Sequence, residues 1–322
     1  MTASIHPKQW LRFIEQEYLA SFVRDGGCAI KFAVPLEYGL RPGLLTGIAR
    51  MANEAGYLVV EIDSAQTKIH LIDELFFRTA GQVPWETLCR KVIASIAADA
   101  GYSWAGDGAD PLYLRLARKN QVDPQMLLMD LKKAIGNNVF KQPSLSRDFR
   151  VAMTHLCIAE LSGGQDGATT VKILTEWLTG RNKAVSAVKP FHIFRKINRA
   201  TARYFFESLS HWLRLAGYPG MVILLNAERV MVPRNPQDGG IFYSKAAVLD
   251  AYEVLRQFID GADRLPGCFI TVVPGVAFLD DLSRGISSYE ALKFRVFDEV
   301  RDRHLVNPMA SLARISTSGQ GE

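Results

Sequence analysis

CAIKFAVPLEYGLRPGLLTGIARMANEAGYLVVEID, residues 28–63, decides the fold. Residues 28–34 read as a buried strand, and residues 57–62 as the next one. Between them, glycines at 39 and 43 punctuate a turn, and the spacing predicts a helix over 43–55. Strand, glycine turn, helix, strand is the order that carries a phosphate-binding loop of the form G-x-x-x-x-G-K-[ST]. Such a loop turns backbone N–H groups and one ammonium toward phosphates and sets a hydroxyl on Mg²⁺. This loop reads Pro35, Leu36, Glu37, Tyr38, Gly39, Leu40, Arg41, Pro42, Gly43. Pro42 removes a donor, Glu37 brings the wrong charge, and the lysine and the hydroxyl behind it are missing. The arrangement suggests a nucleotide-binding fold that has lost its nucleotide chemistry. Gly39, Arg41 and Gly43 are the remnant of the site.

Outward from that stretch, residues 7–24 read as an amphipathic helix with Pro7 in its first turn. Residues 68–79 read as helical, as do 84–101, 123–138, 145–162 and 169–179. Polar breaks fall at 105–110 and 163–168, the second an exposed loop around GGQDG. A basic connector, 180–190, leads to a helix at 197–216. Strand 220–226, a loop at 232–242, helix 244–260, strand 267–273 and helices at 276–283 and 286–303 follow. A disordered tail closes the chain. Strands alternating with helices imply an α/β fold, a mostly parallel sheet sandwiched by helices. Residues 64–218 are too long for a simple crossover and form a large helical insertion between the second and third strands. The chain is read as one domain: an N-terminal helix (1–26), an α/β core (27–63 and 219–316), the insertion and the tail (317–322).

The third strand ends in Asn226-Ala227-Glu228. In folds of this order an Asp-Glu pair stands there, one carboxylate holding Mg²⁺ and the other polarising a water. Asn226 lacks the charge and Ala227 takes the glutamate's place. Glu228 substitutes only if the register slips by one; the alternative is a capped strand end with no metal. Thr271 lies in the middle of the fourth strand and so reads as packing rather than as a phosphate sensor. Asp63 with Lys68, His70, Asp73 and Glu74 gathers at a strand's carboxyl end, where open α/β sheets bind ligands, although a helix cap explains it equally.

Arg195, Lys196, Arg199 and Arg203, with Lys183 and Lys189 upstream, form a basic cluster. The predicted helix puts Arg199 and Arg203 on one face. They can contact DNA phosphates, complete a neighbour's nucleotide site, or form a solvated face. Arg284, Lys293, Arg295, Arg301, Arg303 and His304 are interleaved with acids and read as surface ion pairs. The net charge of +5 permits nucleic acid without requiring it, and 48% hydrophobic with 22% charged residues describes an ordinary folded protein. The four cysteines have no C-x-x-C spacing and read as reduced core residues. The six histidines have no zinc spacing. G-x-S-x-G and G-x-G-x-x-G are absent. No apolar run crosses a membrane and no secretory signal opens the chain, so a bacterial cytoplasm is expected.

Residues 56–76, 145–157, 189–230, 244–260 and 279–296 resemble the ATP-binding proteins of bacteriophage-exclusion (BREX) and related bacterial defence loci. LRLAGYPGMVILLNAE (213–228) is the most specific of these segments. The resemblance implies an AAA+-type P-loop fold close to origin-recognition ATPases, ATP and Mg²⁺ as ligands in intact members, and partners within a defence complex. Both ATP elements depart from the family pattern here. No cofactor is therefore expected, and the reading is a non-hydrolysing structural or regulatory subunit. Its expected partners are other defence proteins such as an active ATPase paralogue, and DNA through Arg195–Arg203; it is expected to form oligomers. A weakly active ATPase using Arg41 and Glu228, and a stand-alone DNA-binding module, are the alternatives.

Overall fold

The structure, a computed structural model, describes residues 3–297 and 307–318. Along the chain the elements are α1 (Pro7–Phe13), running on as a π-helical segment Ile14–Phe22, β1 (Cys28–Pro35), α2 (Leu40–Glu54), β2 (Leu58–Asp63) and α3 (Ile72–Ala80). Seven helices follow: α4 (Trp85–Asp99), α5 (Leu112–Asn120), α6 (Pro124–Ile135), α7 (Arg147–Ser162), α8 (Gly164–Leu178), α9 (Val185–Val188) and α10 (Ala202–Leu215). The chain then forms β3 (Met221–Asn226), α11 (Lys245–Asp260), β4 (Cys268–Val273), α12 (Ala277–Asp280), α13 (Glu290–Val296) and β5 (Leu312–Ile315). By packing, the chain divides into two compact units, residues 1–79 with 218–322 and residues 80–217.

The first unit is an α/β sandwich. Its five strands are all parallel, in the order β2-β3-β4-β1-β5. β3 and β4 are continuous apolar runs because helices cover both faces of the sheet. On one face Trp10, Ile14, Tyr18 and Leu19 pack with Leu44 and Ile48 of α2 over Val222, Leu224 and Phe269. Elsewhere in the core Phe32 stacks on Phe278, with centroids 5.6 Å apart, and Tyr252 meets Phe278 edge-on. Before β3, Gly220 has φ 148°, and a Cβ there would lie 1.8 Å from the Gly267 carbonyl oxygen. Only glycine lets the two strand entries approach this closely. Cys28 and Cys268 are paired across β1 and β4 as free thiols.

The second unit is helical. α7 is its centre, burying Phe149, Ala152, Met153, Leu156 and Cys157. Gly163, at φ 62°, turns α7 directly into α8, and Gly167 lies against the Ala159 carbonyl, 2.8 Å from where its Cβ would stand. The exposed loop expected at 163–168 is therefore a single turn at Gly163 and the start of α8, where Gly167 serves close helix packing.

Several other expectations shift. α5 lies in a stretch left without structure, where nine residues bury only Leu112, Leu116 and Ala117. α3 starts at Ile72 rather than 68, because residues 64–69 are folded around the Tyr243 hydroxyl. That hydroxyl lies 2.9 Å from Ser64 O and 2.6 Å from Thr67 O and accepts from Ile69 N. α2 begins at Leu40, with Pro42 tolerated in a first turn whose N–H groups need no helical partner. The helix expected over 276–283 shrinks to α12, and that over 286–303 resolves into a 3₁₀ turn at Ile286–Ser288 and α13. Residues 298–306, Arg301, Arg303 and His304 among them, lie outside the described ones. β5 is unanticipated: four residues are too short to show a period. Thr317, expected in the disordered tail, donates its N–H to Glu37.

Candidate functional site

From β1 the chain crosses to β2 at one edge of the sheet, whereas from β4 it runs the other way, past β1, to β5. The crevice of such a sheet opens at the carboxyl ends of the strands where the order reverses, here β1 and β4. The altered loop sits at that point, with the ends of β3 and β4 beside it.

Both charges of the loop are already engaged. Glu37 accepts from Ser316 Oγ (2.5 Å) and from Thr317 N (3.1 Å), tying the loop to the segment after β5. Gly39 takes a left-handed conformation (φ 98°) as the cap of α2, and Tyr38 before it is fully exposed. Arg41, in the first turn of α2, forms an ion pair with Glu228 and reaches the Pro274 carbonyl at 3.4 Å. Its side chain is 16% exposed and that of Glu228 48%. Gly43 faces open space. The first hydroxyl after it on α2 is that of Thr46, three positions on instead of beside the loop cation.

At the end of β3 the register is continuous. Asn226 pairs with Asp63 of β2 and with Val273 of β4, so no slip brings Glu228 into the strand-end position. The Asn226 amide donates toward Asp63 Oδ2 (3.4 Å), and its Oδ1 accepts from Glu228 N (3.3 Å). Ala227 is buried with its N–H on Val273 O. Glu228 starts a 3₁₀ turn and directs its carboxylate to Arg41.

These residues do not fit a magnesium nucleotide held in the P-loop manner. The loop cation is neutralised from within, the metal-holding carboxylate is an amide, and Asp63 already caps Ala65 N (2.7 Å). Among the described residues no group of three His, Cys, Asp or Glu could hold a metal ion. Of the polar group Asp63, Lys68, His70, Asp73 and Glu74, the first three belong to the corner organised by Tyr243, whose phenol is pushed up to about 12 by burial, and Asp73 and Glu74 open α3. Thr271 is wholly buried mid-strand, paired with Lys31 and Leu224.

Other residues differ from their sequence reading. Arg284, expected in a surface ion pair, is buried and donates to the carbonyls of Val230 and Tyr243. Arg295 does pair with Asp260. Arg199 is not on α10 with Arg203 but in the preceding turn. There the Asn198 side chain accepts from Ala200 N and Thr201 N, and Thr201 Oγ1 donates to Lys196 O. Such side-chain bonds compete with the helix and delay its start. Arg195, Lys196 and Arg199 are exposed, and Arg203 pairs with Glu207 at 3.5 Å. Sequence reading missed Lys31, a buried lysine whose ammonium donates to Met309 O (2.5 Å) and Ala310 O (3.1 Å) and lies 4.5 Å from the Tyr18 ring centre. Its only sequence signal was a charge inside an apolar strand.

An all-parallel sheet flanked by helices, with its crevice at the loop after β1, defines a P-loop-like α/β protein. The chain belongs to the family described as BREX system ATP-binding protein BrxC/D, which matches residues 117–318. That match takes in β3, β4, β5 and the basic cluster, and leaves the altered loop outside it. No curated protein and no solved structure matches the chain. Membership makes it part of a multi-protein phage-defence system. No described helix is long and apolar enough to cross a membrane.

Proposed function

We propose that the chain is a non-hydrolysing, AAA+-like subunit with a structural or regulatory role in its defence complex. One observation carries this reading. The ion pair between Arg41 and Glu228 consumes both the loop's cation and the acid nearest the end of β3. Phosphate would have to displace Glu228, and a nucleophilic water would find no free carboxylate in its place. Such a subunit docks on its partners without turning over nucleotide. The partners proposed are other proteins of the system, an active ATPase paralogue among them, in an oligomer. The exposed Arg195, Lys196 and Arg199, with Arg203, contact DNA.

Calorimetric titration of the purified protein with ATP and ADP plus Mg²⁺, up to millimolar, tests the reading. A ligand that binds only the native state stabilises it by RT ln(1 + [L]/Kd). The expected result is no heat and no thermal shift. Micromolar binding would overturn it and turn attention to weak ATPase activity through Arg41 and Glu228. Backbone amides of α2 would then hold the phosphates.

A further inference from the structure

We infer that the helical unit carries a binding face for single-stranded nucleic acid, built from exposed aromatic rings set among arginines. This rests on the DNA-contact part of the proposed function and specifies its ligand.

Two segments make the face. Lys189–Phe206 contains five Lys and Arg and no acid, and Lys132–Arg147 likewise contains no acid. Their helices meet where Ser146 N donates to Ser208 Oγ (2.9 Å), with the two hydroxyls 3.0 Å apart, so the start of α7 lies against α10. Asp148, the acid that follows Arg147, is buried and feels the charges of both Arg147 and Arg195. The surface there is left strongly positive.

Three large aromatic side chains are exposed on these segments: Phe140 at 48%, Phe194 at 53% and Tyr204 at 45%. Two of them already hold a guanidinium. Arg150 lies 5.9 Å from the Phe140 ring centre and Arg203 lies 5.2 Å from that of Tyr204. Phe194 is adjacent to Arg195 in sequence. Exposed apolar rings cost free energy in water, and their neighbours here are cations rather than an apolar partner surface. Cations follow a phosphate backbone, and flat rings receive unstacked bases; this pairing is how single strands are held without sequence preference. A duplex keeps its bases stacked and offers the rings nothing. The Asn198–Thr201 hydrogen bonds fix the turn that carries Lys196 and Arg199, so little ordering is needed on binding.

The test is fluorescence anisotropy with a fluorescein-labelled oligothymidine of about 20 nucleotides and with a duplex of equal length, at low and rising salt. The expected dissociation constant for the oligothymidine is on the order of micromolar at about 50 mM salt. Log affinity should fall with log salt at a slope of about −0.7 per phosphate neutralised. The double variant Phe194→Ala/Tyr204→Ala should weaken the single strand by about tenfold or more while leaving its salt slope unchanged. Arg195→Ala/Arg199→Ala should flatten the slope by about 1.4. All four positions are solvent-exposed, so melting temperature should hold, and a melt of each variant checks this. Duplex binding as tight as single-strand binding, or indifference to the aromatic variant, overturns the inference and leaves DNA contact standing. Absence of any nucleic-acid binding overturns both. Neither result bears on the nucleotide titration, which reads the other unit.

Discussion

The Arg41–Glu228 pair should behave as a coupled unit, and a double-mutant cycle measures the coupling. Two unit charges about 4 Å apart attract by about 4 kcal/mol at the effective dielectric of a protein surface. Glu228 is half open to water, which screens the pair and costs side-chain entropy, while Arg41 is largely enclosed by the loop and the Pro274 carbonyl. Exposed pairs contribute about 0.2–1 kcal/mol. This one sits above that range because one partner is mostly buried, and its coupling should be about 1–2 kcal/mol. The assay is urea unfolding of the wild type, Arg41→Ala, Glu228→Ala and the double variant, with equal m-values as the check that a common unfolded state is reached. Glu228→Ala alone should lower the melting temperature by about 2–4 °C for each kcal/mol lost. A coupling below about 0.3 kcal/mol would mean that Glu228 is not committed to Arg41. The cation would then be free for phosphate, and the case for a non-hydrolysing subunit would lose its central observation.

Three further outcomes are expected. Burial lowers the Lys31 ammonium from its usual range to about 8. Between about pH 8 and 10 the unfolded chain therefore holds a proton at this lysine that the native state has released, and the lysine's own contribution to stability rises with pH by on the order of 3 kcal/mol. In Lys31→Met that rise should disappear from pH-dependent urea melts; a rise of equal size in the variant would assign it to another group. Tyr243→Phe should cost about 1–3 kcal/mol by stripping Ser64 O, Thr67 O and Ile69 N of a buried partner, and a chemical melt within about 0.5 kcal/mol of wild type would contradict the corner assigned to Tyr243. Gly167→Ala should destabilise the helical unit by about 1–3 kcal/mol, because its Cβ would press on the Ala159 carbonyl. A neutral result by thermal melting would mean that α7 and α8 are not packed this closely.

Much of the sheet could be read directly. β1, β3 and β4 are largely apolar runs bounded by glycine or a polar end, and a run buried on both faces needs no alternation to be recognised; β2 alternates, burying Leu58, Val60 and Ile62. The short strand β5 and helix α5 could not, since four residues carry no period and α5 buries only Leu112, Leu116 and Ala117. Glycine misled at 163–168: the residue that opens a turn is also the residue that lets two helices touch, and the sequence does not distinguish these uses. Arg199 was placed on a helix because the apolar period runs through 197, yet the Asn198 and Thr201 side chains outbid the backbone locally.

The departure from the phosphate-binding pattern was visible in the chain itself. A missing lysine, a proline among the donors and an asparagine for a carboxylate are statements about residue type, and residue type is what a sequence records. What replaced them is not a property of any one segment. Arg41 and Glu228 are far apart along the chain, as are Glu37 and Ser316, and Lys31 and Met309. They meet because β1, β3, β4 and β5 lie side by side in an order that the chain does not follow. Charges that read as free along the sequence are satisfied across the sheet, since attraction depends on distance in space. Only the tertiary structure sets that distance.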